Sequence, residues 1–143
     1  MKFRKVFLAS DHAGFLLKQV ISNFLKKKGF KISDLGPKNN NSTDYPDYAH
    51  LLAKKMMGYK NNMGILVCGS GEGMIMAANR HKNIRAALCY DTKSTKLSRK
   101  HNNANVMAIG SRLTTKTVAL RCTDIFLKTK FEGGRHQRRV KKI

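Results

Sequence analysis

The sequence contains no tryptophan, only two prolines and only three cysteines, and it lacks any long apolar run. The cysteines are odd in number and lie far apart, at positions 68, 89 and 122, so they form neither a disulfide framework nor a CxxC metal motif. No stretch approaches the roughly 18 apolar residues that a membrane-spanning helix needs, and the N-terminal segment turns polar too early for a signal peptide. These absences favour a protein of the reducing cytoplasm.

Acidic residues are also scarce: 8 of them stand against 29 basic residues, which leaves a formal net charge of +21. Such a charge attracts anions, so nucleic-acid binding is one class of function to consider. The lysines are spread along the whole chain, however, and no basic stripe interleaved with aromatic residues is present, as a nucleic-acid module would more often show. We interpret the charge as the surface of an enzyme that uses an anionic substrate, and nucleic acid as an unlikely partner.

Short apolar runs alternate with amphipathic stretches along all 143 residues, without a linker or a repeat. This alternation predicts one α/β domain, residues 1–143, in which helices cover both faces of a parallel sheet. Five strands are expected, at residues 6–9, 30–35, 64–68, 84–88 and 106–109. Long helices are expected before Gly29, after Pro46, after a cap at Asp91 or Thr92, and over residues 115–128.

Polar residues follow three of the predicted strands. Asp11 and His12 follow the first strand, Cys68 ends the third, and Arg112 follows the fifth. In parallel α/β sheets the ligand binds outside the carboxyl ends of the strands. The sequence therefore predicts a ligand site at this edge.

The segment Cys68-Gly69-Ser70-Gly71-Glu72-Gly73 is the most informative motif. Its glycines allow a sharp turn and close approach to a ligand, and the following helix exposes amides that suit an anion. The Lys-Ser/Thr ending of a P-loop is missing, which argues against nucleoside triphosphates. A thiol beside these amides is expected to have a lowered pKa and to act as base or nucleophile. The alternative is a small buried hydrophobe, which is our interpretation of Cys89 and Cys122.

The histidines and the basic tail each allow two interpretations. His101, at the end of a predicted helix, is either functional or a surface group, and Asp11 is placed to orient His12. His50 and His81 are expected at the surface, and the unclustered histidines make a metal site improbable. In the tail, Arg135 and Arg139 share a face if the segment is helical, and would clamp a phosphate with Arg112 as a third member. The alternative is a solvated basic end.

Seven segments fall in an order that resembles a known family. They are Ser10-Asp11-His12-Ala13-Gly14-Phe15, Thr43-Asp44-Tyr45-Pro46, Cys68-Gly69-Ser70-Gly71-Glu72-Gly73, Ile84-Arg85-Ala86, His101-Asn102-Asn103-Ala104-Asn105, Gly110-Ser111-Arg112 and Gly133-Gly134-Arg135-His136-Gln137-Arg138-Arg139. The chain resembles the family of ribose-5-phosphate isomerase B and the galactose-6-phosphate isomerase subunits, from about residue 5 to residue 140.

The resemblance implies a three-layer α/β/α Rossmann-like domain with a five-stranded parallel sheet, working as a homodimer or homotetramer without metal or cofactor. It implies interconversion of D-ribose 5-phosphate and D-ribulose 5-phosphate through a cis-enediolate, in the pentose phosphate pathway. Cys68 matches the base and His101 the ring-opening acid, and Ser70 belongs to the same catalytic loop. Family members without this cysteine carry a glutamate where this chain has Met74, and Glu72 lies one residue too early to match it.

The resemblance also implies a substrate-binding set. Its members are Asp11, His12, Tyr45, Gly69, Ser70, Gly71, Glu72, Gly73, Asn102, Arg112, Arg135 and Arg139. Of these, His12 and the three arginines match phosphate ligands, and Asp11 and Asn102 match contacts to sugar hydroxyls. The site is shared between subunits in the family, so His101, Asn102 and Arg112 are expected to serve the neighbour's Cys68.

Two other functions stay open. One is the same chemistry on a 6-phosphohexose, allose or galactose 6-phosphate, because the sequence does not measure the distance from Cys68 to the arginines. The other is a non-catalytic protein of this fold that binds anions or nucleic acid. That alternative predicts loss of Cys68 or His101, and both are present.

Overall fold

The sheet has the predicted number of strands, all parallel. The computed structural model describes residues 5–58 and 61–143. The strands are β1 (Val6–Ser10), β2 (Ile32–Asp34), β3 (Met63–Cys68), β4 (Ala86–Leu88) and β5 (Val106–Gly110). They lie in the order β2-β1-β3-β5-β4, and every neighbouring pair is parallel.

Helices cover both faces of this sheet. They are α1 (Phe15–Lys27), α2 (Tyr45–Met56), α3 (Glu72–Ala78), α4 (Thr92–Asn102), α5 (Lys116–Lys128) and α6 (Arg135–Val140). The core on one face is formed with α1 and α5, and the core on the other with α2 and α3. The predicted three-layer α/β/α architecture is therefore confirmed. Among the described helices, none is long and apolar enough to cross a membrane.

Alternation along β3 supplies both cores at once. Ile65 and Val67 join the cluster that includes Phe126 of α5, whereas Leu66 and Cys68 join the cluster that includes Leu52 of α2. A strand that is buried on both faces needs apolar side chains in both directions, which explains the continuous apolar run. Cys68 thus points to the α2 and α3 side of the sheet.

Local signals in the sequence explain where several helices begin and end. The carboxylate of Asp91 accepts a hydrogen bond of 2.7 Å from the Ser94 amide, so the predicted cap of α4 is confirmed. Thr115 caps α5 in the same way, through its hydroxyl and the Val118 amide at 3.2 Å. Gly29 follows α1 at φ +82°, a left-handed conformation that ends a helix at little cost for glycine.

Two of the strands are shorter than predicted. β2 and β4 have three residues each, and both lie at the edges of the sheet, where a strand pairs with one neighbour only. The apolar runs at residues 30–35 and 84–88 continue beyond this pairing because the flanking side chains still pack against the core. The tail, by contrast, does form a helix, α6.

The strand order creates a crevice at the carboxyl edge. From β1 the chain crosses to β2 on one side of the sheet, whereas from β3 it crosses toward β4 and β5 on the other side. The loops that follow β1 and β3 therefore diverge, and ligands of open α/β sheets bind at such a switch point. The crevice lies between Asp11 and Cys68.

Candidate active site

Cys68 is the last residue of β3, and backbone amides of the glycine loop face its sulfur. The side chain is buried, and its Sγ accepts a hydrogen bond of 3.1 Å from the Gly71 amide. Gly71 has φ +82°, and a Cβ there would lie 2.7 Å from a methyl carbon of Leu88. Only glycine fits this turn, and the turn directs an amide at the thiol.

The rest of the loop offers no competing base in the described structure. The Ser70 hydroxyl accepts a hydrogen bond of 3.3 Å from the Glu72 amide, at the start of α3. The Glu72 residue is exposed, and Met74, where other family members are expected to carry a glutamate, is fully buried. Cys68 is therefore the buried ionisable side chain that this loop presents to the crevice, and its predicted role as base stays a prediction.

The expectation of a lowered thiol pKa is wrong for this structure. Burial raises the pKa of Cys68 above the ordinary thiol value, and the negative charge of Asp11 raises it further. Hydrogen bonds from the amides of Gly71, Met74 and Ser70 act in the opposite direction but are outweighed. The sequence predicted the positions of the amides correctly, but it did not predict how deeply the thiol is buried. Burial outweighs the amides because a desolvated thiolate is costly.

Tyr45 and Arg112 enclose the glycine loop from two sides. A Cβ built on Gly73 would lie 2.9 Å from the Tyr45 hydroxyl, and one built on Gly69 would lie 2.9 Å from Nη1 of Arg112. The Arg112 amide also donates to the Gly69 carbonyl at 3.0 Å. Arg112 is predicted to serve the neighbouring subunit's cysteine with His101. Within one chain its guanidinium lies over Gly69, directly after Cys68.

Asp11 and His12 line the other side of the crevice, but they do not pair with each other. Asp11 is buried, and its carboxylate accepts a hydrogen bond of 2.9 Å from the Gly14 amide. Nδ1 of His12 lies 3.2 Å from the Thr43 amide nitrogen, from which it accepts a hydrogen bond. Asp11 therefore does not orient His12 as predicted, and the His12 ring is held by the segment that precedes α2.

A second group of predicted site residues lies at the end of α4. His101 and Asn102 are the last two residues of this helix, and the His101 ring is stacked on that of His136 in α6. Two hydrogen bonds to backbone carbonyls hold the tail there: the Glu132 amide donates to the Lys100 carbonyl at 3.0 Å, and the side-chain Nε of Arg99 donates to the Thr129 carbonyl at 3.2 Å. The tail is therefore part of the folded domain.

The predicted phosphate clamp is divided between these two groups. Arg135 and Arg139 are both exposed and lie one helical turn apart on α6, as predicted for a helical tail. They stand with His101 rather than with Arg112, so the three arginines do not form one cluster within the chain. His12 and Arg112 accompany Cys68 instead.

The two groups lie at opposite ends of the strands, one at the carboxyl edge of the sheet and the other at its amino edge. α4 starts at the carboxyl edge after β4 and returns to the amino edge, where β5 begins. His101 therefore lies at the amino edge, whereas Cys68 ends β3 at the carboxyl edge. One chain does not bring its predicted acid and its predicted base together.

Two features of the histidines could not be predicted from the sequence. His136 had no predicted role, because a single buried position in a short basic helix gives no recognisable pattern. His50 and His81 were expected as separate surface residues, whereas Nδ1 of His50 and Nε2 of His81 lie 2.7 Å apart. Burial, with the nearby His50 and Lys54, lowers the pKa of His81. In the described residues no three His, Cys, Asp or Glu side chains group as metal ligands.

Comparison with known proteins agrees with the architecture. The ribose/galactose isomerase family model matches residues 6–143. The chain is 48% identical over 140 residues to a probable ribose-5-phosphate isomerase B of Mycoplasma genitalium, covering 96% of this chain and 92% of that protein. It is 41% identical over 140 residues to ribose-5-phosphate isomerase B of Escherichia coli, covering 98% and 94% of the two chains.

A solved structure is equally similar. The crystal structure of ribose-5-phosphate isomerase B from Mycoplasma genitalium with bound ribulose 5-phosphate has a TM-score of 0.94 and 47% sequence identity. The match covers 96% of this chain and 92% of that one. The range matched by the family model, residues 6–143, includes the sheet, both helical layers and the tail.

A cysteine that faces backbone amides at the switch point of a parallel sheet defines an α/β enzyme with its ligand at the carboxyl edge. The chain belongs to the ribose/galactose isomerase family, and the resemblance seen in its seven motifs is confirmed. It is an aldose–ketose isomerase.

Proposed function

We propose that this enzyme interconverts D-ribose 5-phosphate and D-ribulose 5-phosphate, with Cys68 as the base. The observation that carries the choice of substrate is the Mycoplasma genitalium relative, which holds ribulose 5-phosphate and matches this chain with a TM-score of 0.94. In this role the enzyme serves the pentose phosphate pathway in a reducing cytoplasm, where the free thiol of Cys68 persists.

The chemistry requires proton transfer only. In the forward direction the Cys68 thiolate takes the proton from C2 of the open-chain aldose and returns it to C1. Over the whole reaction O2 loses its hydroxyl proton and O1 gains one, so the protons balance. The intermediate is a cis-enediolate, and its negative charge needs fixed donors. Amides of the glycine loop, of which that of Gly71 already points at the sulfur, are suited to this task.

The raised pKa of Cys68 fits a base that is activated on binding. In the substrate-free chain the thiol is mainly protonated at neutral pH, because burial and Asp11 oppose its ionisation. A hydroxyl of the sugar that donates a hydrogen bond to Asp11 would weaken this opposition. The pH dependence of kcat/KM, which reports the free enzyme, is therefore expected to rise toward a pKa above the ordinary thiol value.

We further propose that the working site forms between two copies of the chain. His101 would open the furanose ring by protonating the ring oxygen, and Asn102 would hold a sugar hydroxyl. Support comes from the positions of Cys68 and His101 at opposite edges of the sheet in one chain. In a symmetric pair, the carboxyl edge of each copy can face the amino edge of its partner.

The same pairing would complete the phosphate site. His12 and Arg112 stand with Cys68, and Arg135 and Arg139 stand with His101, so each half-site supplies two basic side chains. A phosphate dianion held by donors from both copies gives binding energy away from the reacting carbons, which orients C1 and C2 at the thiolate.

Complementation between two inactive variants tests both proposals. Cys68→Ala and His101→Asn are each expected to lower turnover of ribose 5-phosphate by at least about 100-fold, the usual scale for a general acid or base. In a dimer with shared sites, co-expression of the two variants restores about a quarter of the wild-type activity, because half of the dimers are mixed and each has one intact site.

The outcomes separate the two claims. Full activity in Cys68→Ala would contradict its role as base, and a co-expressed mixture as inactive as its parents would contradict the shared site. Allose 6-phosphate and galactose 6-phosphate are assayed beside ribose 5-phosphate. Faster turnover of either hexose phosphate would contradict the proposed substrate.

A further inference from the structure

The ring of His101 does not stand alone at the amino edge. The imidazole of His136 is stacked on it, with centroids 4.2 Å apart and an angle of 11° between the ring planes. His136 is 7% exposed, although its neighbours Arg135 and Gln137 are exposed. One side chain of this short, basic helix is thus turned inward, directly under the predicted ring-opening group.

The backbone before α6 is shaped to place this ring. Gly133 and Gly134 have φ values of +70° and +53°, which favour glycine, and the His136 amide donates to the Gly133 carbonyl at 3.0 Å. An ion pair of 3.3 Å between Lys100 and Glu132 ties the same turn to α4. Two residues of left-handed backbone and a link to α4 hold His136 against His101.

The His136 ring is suited to support rather than to proton transfer. Burial lowers the pKa of His136, and the nearby charges of His101 and Arg135 lower it further. The ring therefore stays neutral at pH 7 and can lie face to face on His101 without two positive charges meeting. Nε2 of His136 is buried without a hydrogen-bond partner among the described residues, so no polar group draws the ring away from the stack.

We propose that His136 is a positioning residue for ring opening: its stacked ring holds the imidazole of His101 in the orientation that protonates the furanose oxygen. The inference rests on the proposed function, in which His101 opens the ring. An acid that is misplaced by about 1 Å loses on the order of 100-fold in rate, and α4 ends at Asn102, directly after His101. The stack supplies the rigidity that the end of a helix lacks.

The two directions of the reaction give a selective test. Ribose 5-phosphate is a furanose that must be opened, whereas ribulose 5-phosphate cannot close a furanose ring because its O5 carries the phosphate. His136→Ala is expected to lower kcat from ribose 5-phosphate by about 10- to 100-fold and to leave kcat from ribulose 5-phosphate within about 3-fold of wild type, since open-chain catalysis keeps its geometry. His136→Phe, which retains a stacked ring, should restore most of the loss.

Three controls make the result decisive. Gln137→Ala, at an exposed neighbouring position, is expected to behave as wild type in both directions. His101→Asn should show the same directional loss, and adding His136→Ala to it should cause no further loss. Thermal unfolding and subunit assembly of each variant are measured in parallel.

The inference is overturned if His136→Ala turns over ribose 5-phosphate with the wild-type kcat, or if kcat falls by the same factor in both directions. Failure of His136→Phe to restore activity would also contradict a role through stacking. A wild-type protein that acts on neither sugar would instead remove the proposed function, and with it this inference.

Discussion

Cys68 is held between two opposing influences. The Gly71 amide, 3.1 Å from its sulfur, stabilises a thiolate, while burial and the carboxylate of Asp11 destabilise one. In the substrate-free chain the second influence prevails. Because the thiolate is the reactive form of cysteine, a protonated Cys68 is protected from oxidants and alkylating agents until a ligand changes its surroundings.

Replacing Asp11 tests this balance. Asp11→Asn removes the negative charge but keeps an oxygen that accepts the 2.9 Å hydrogen bond from Gly14. The pKa of Cys68 should fall, because a negative charge that opposes its ionisation is gone, and the thiol should react faster with iodoacetamide at neutral pH. The measurement is the alkylation rate as a function of pH, with mass-spectrometric assignment to Cys68.

Asp124→Asn is the matched control, because it removes the same charge from α5 on the other face of the sheet. It should leave the alkylation profile of Cys68 unchanged. An Asp11→Asn profile identical to that of wild type would show that Asp11 does not influence the thiol.

At this scale the sequence predicted positions better than environments. A cysteine at the end of an apolar strand, followed by three alternating glycines, indicated both the turn and the amides around Cys68. Its pKa depends on how deeply the side chain is covered and on where Asp11 points, and both are set by residues distant in the chain. The His136 stack is similarly invisible, because it depends on the path of the segment between α5 and α6.

Arg99 connects elements that the sequence places far apart. It is buried in α4, its Nε donates to the Thr129 carbonyl after α5, and its Nη1 donates to Asn103 and Ala104 beyond the end of α4. Its guanidinium also lies over the ring of Phe126, 5.6 Å from the centroid. One side chain thus joins the end of α4 to the segment that leads into α6.

Removing this guanidinium should destabilise the domain. Arg99→Met keeps much of the buried volume but leaves carbonyl acceptors without donors, so the free energy of unfolding should fall by about 2 to 3 kcal/mol. Urea denaturation at pH 7 measures the change. Lys96→Met, at an exposed position of the same helix, is the control and should change stability by less than about 0.5 kcal/mol.

A loss in Arg99→Met no larger than in Lys96→Met would contradict this role. A larger loss is expected in Arg99→Met because buried carbonyls without hydrogen-bond donors destabilise the folded state. Replacing the exposed Lys96 leaves no buried polar group without a partner.

Element predictions succeeded where periodicity is long and failed where pairing or packing decides. The central strands and α1 could be predicted from their apolar spacing and end signals. The edge strands β2 and β4 ended early because only one neighbour pairs with each. The six residues of α6 are too few to be helical alone, so the helix depends on its contact with α4, which no local pattern reveals.

On the scale of the whole molecule, the topology separates the predicted acid from the predicted base. Alternating strands and helices made it predictable that His101, at the end of a helix, lies at the edge opposite Cys68. The resemblance added the expectation of a shared site. The position of Arg112 could not be predicted from the sequence. The structure shows that its side chain lies over Gly69 of the same chain.

The net charge of +21 is a property of the whole molecule with a measurable effect on substrate capture. A sugar phosphate approaching such a surface is concentrated near it, and salt screens this attraction because the Debye length falls from about 10 Å at 0.1 M to about 3 Å at 1 M. Raising sodium chloride from about 50 mM to about 500 mM should therefore raise KM for ribose 5-phosphate roughly 3- to 10-fold. In the proposed mechanism the chemical step takes place at Cys68, which is buried, so kcat should stay nearly constant. Sucrose at equal osmolality is the control and should leave KM unchanged.

A KM that does not change with salt would mean that the dispersed lysines produce no electrostatic field at the crevice. The net charge would then need an explanation outside catalysis. Random duplex DNA is tested as a competitor of ribose 5-phosphate in the same assay. In about 150 mM salt it should not inhibit the enzyme, because the sequence has no stripe of interleaved aromatic and basic residues that would bind nucleic acid.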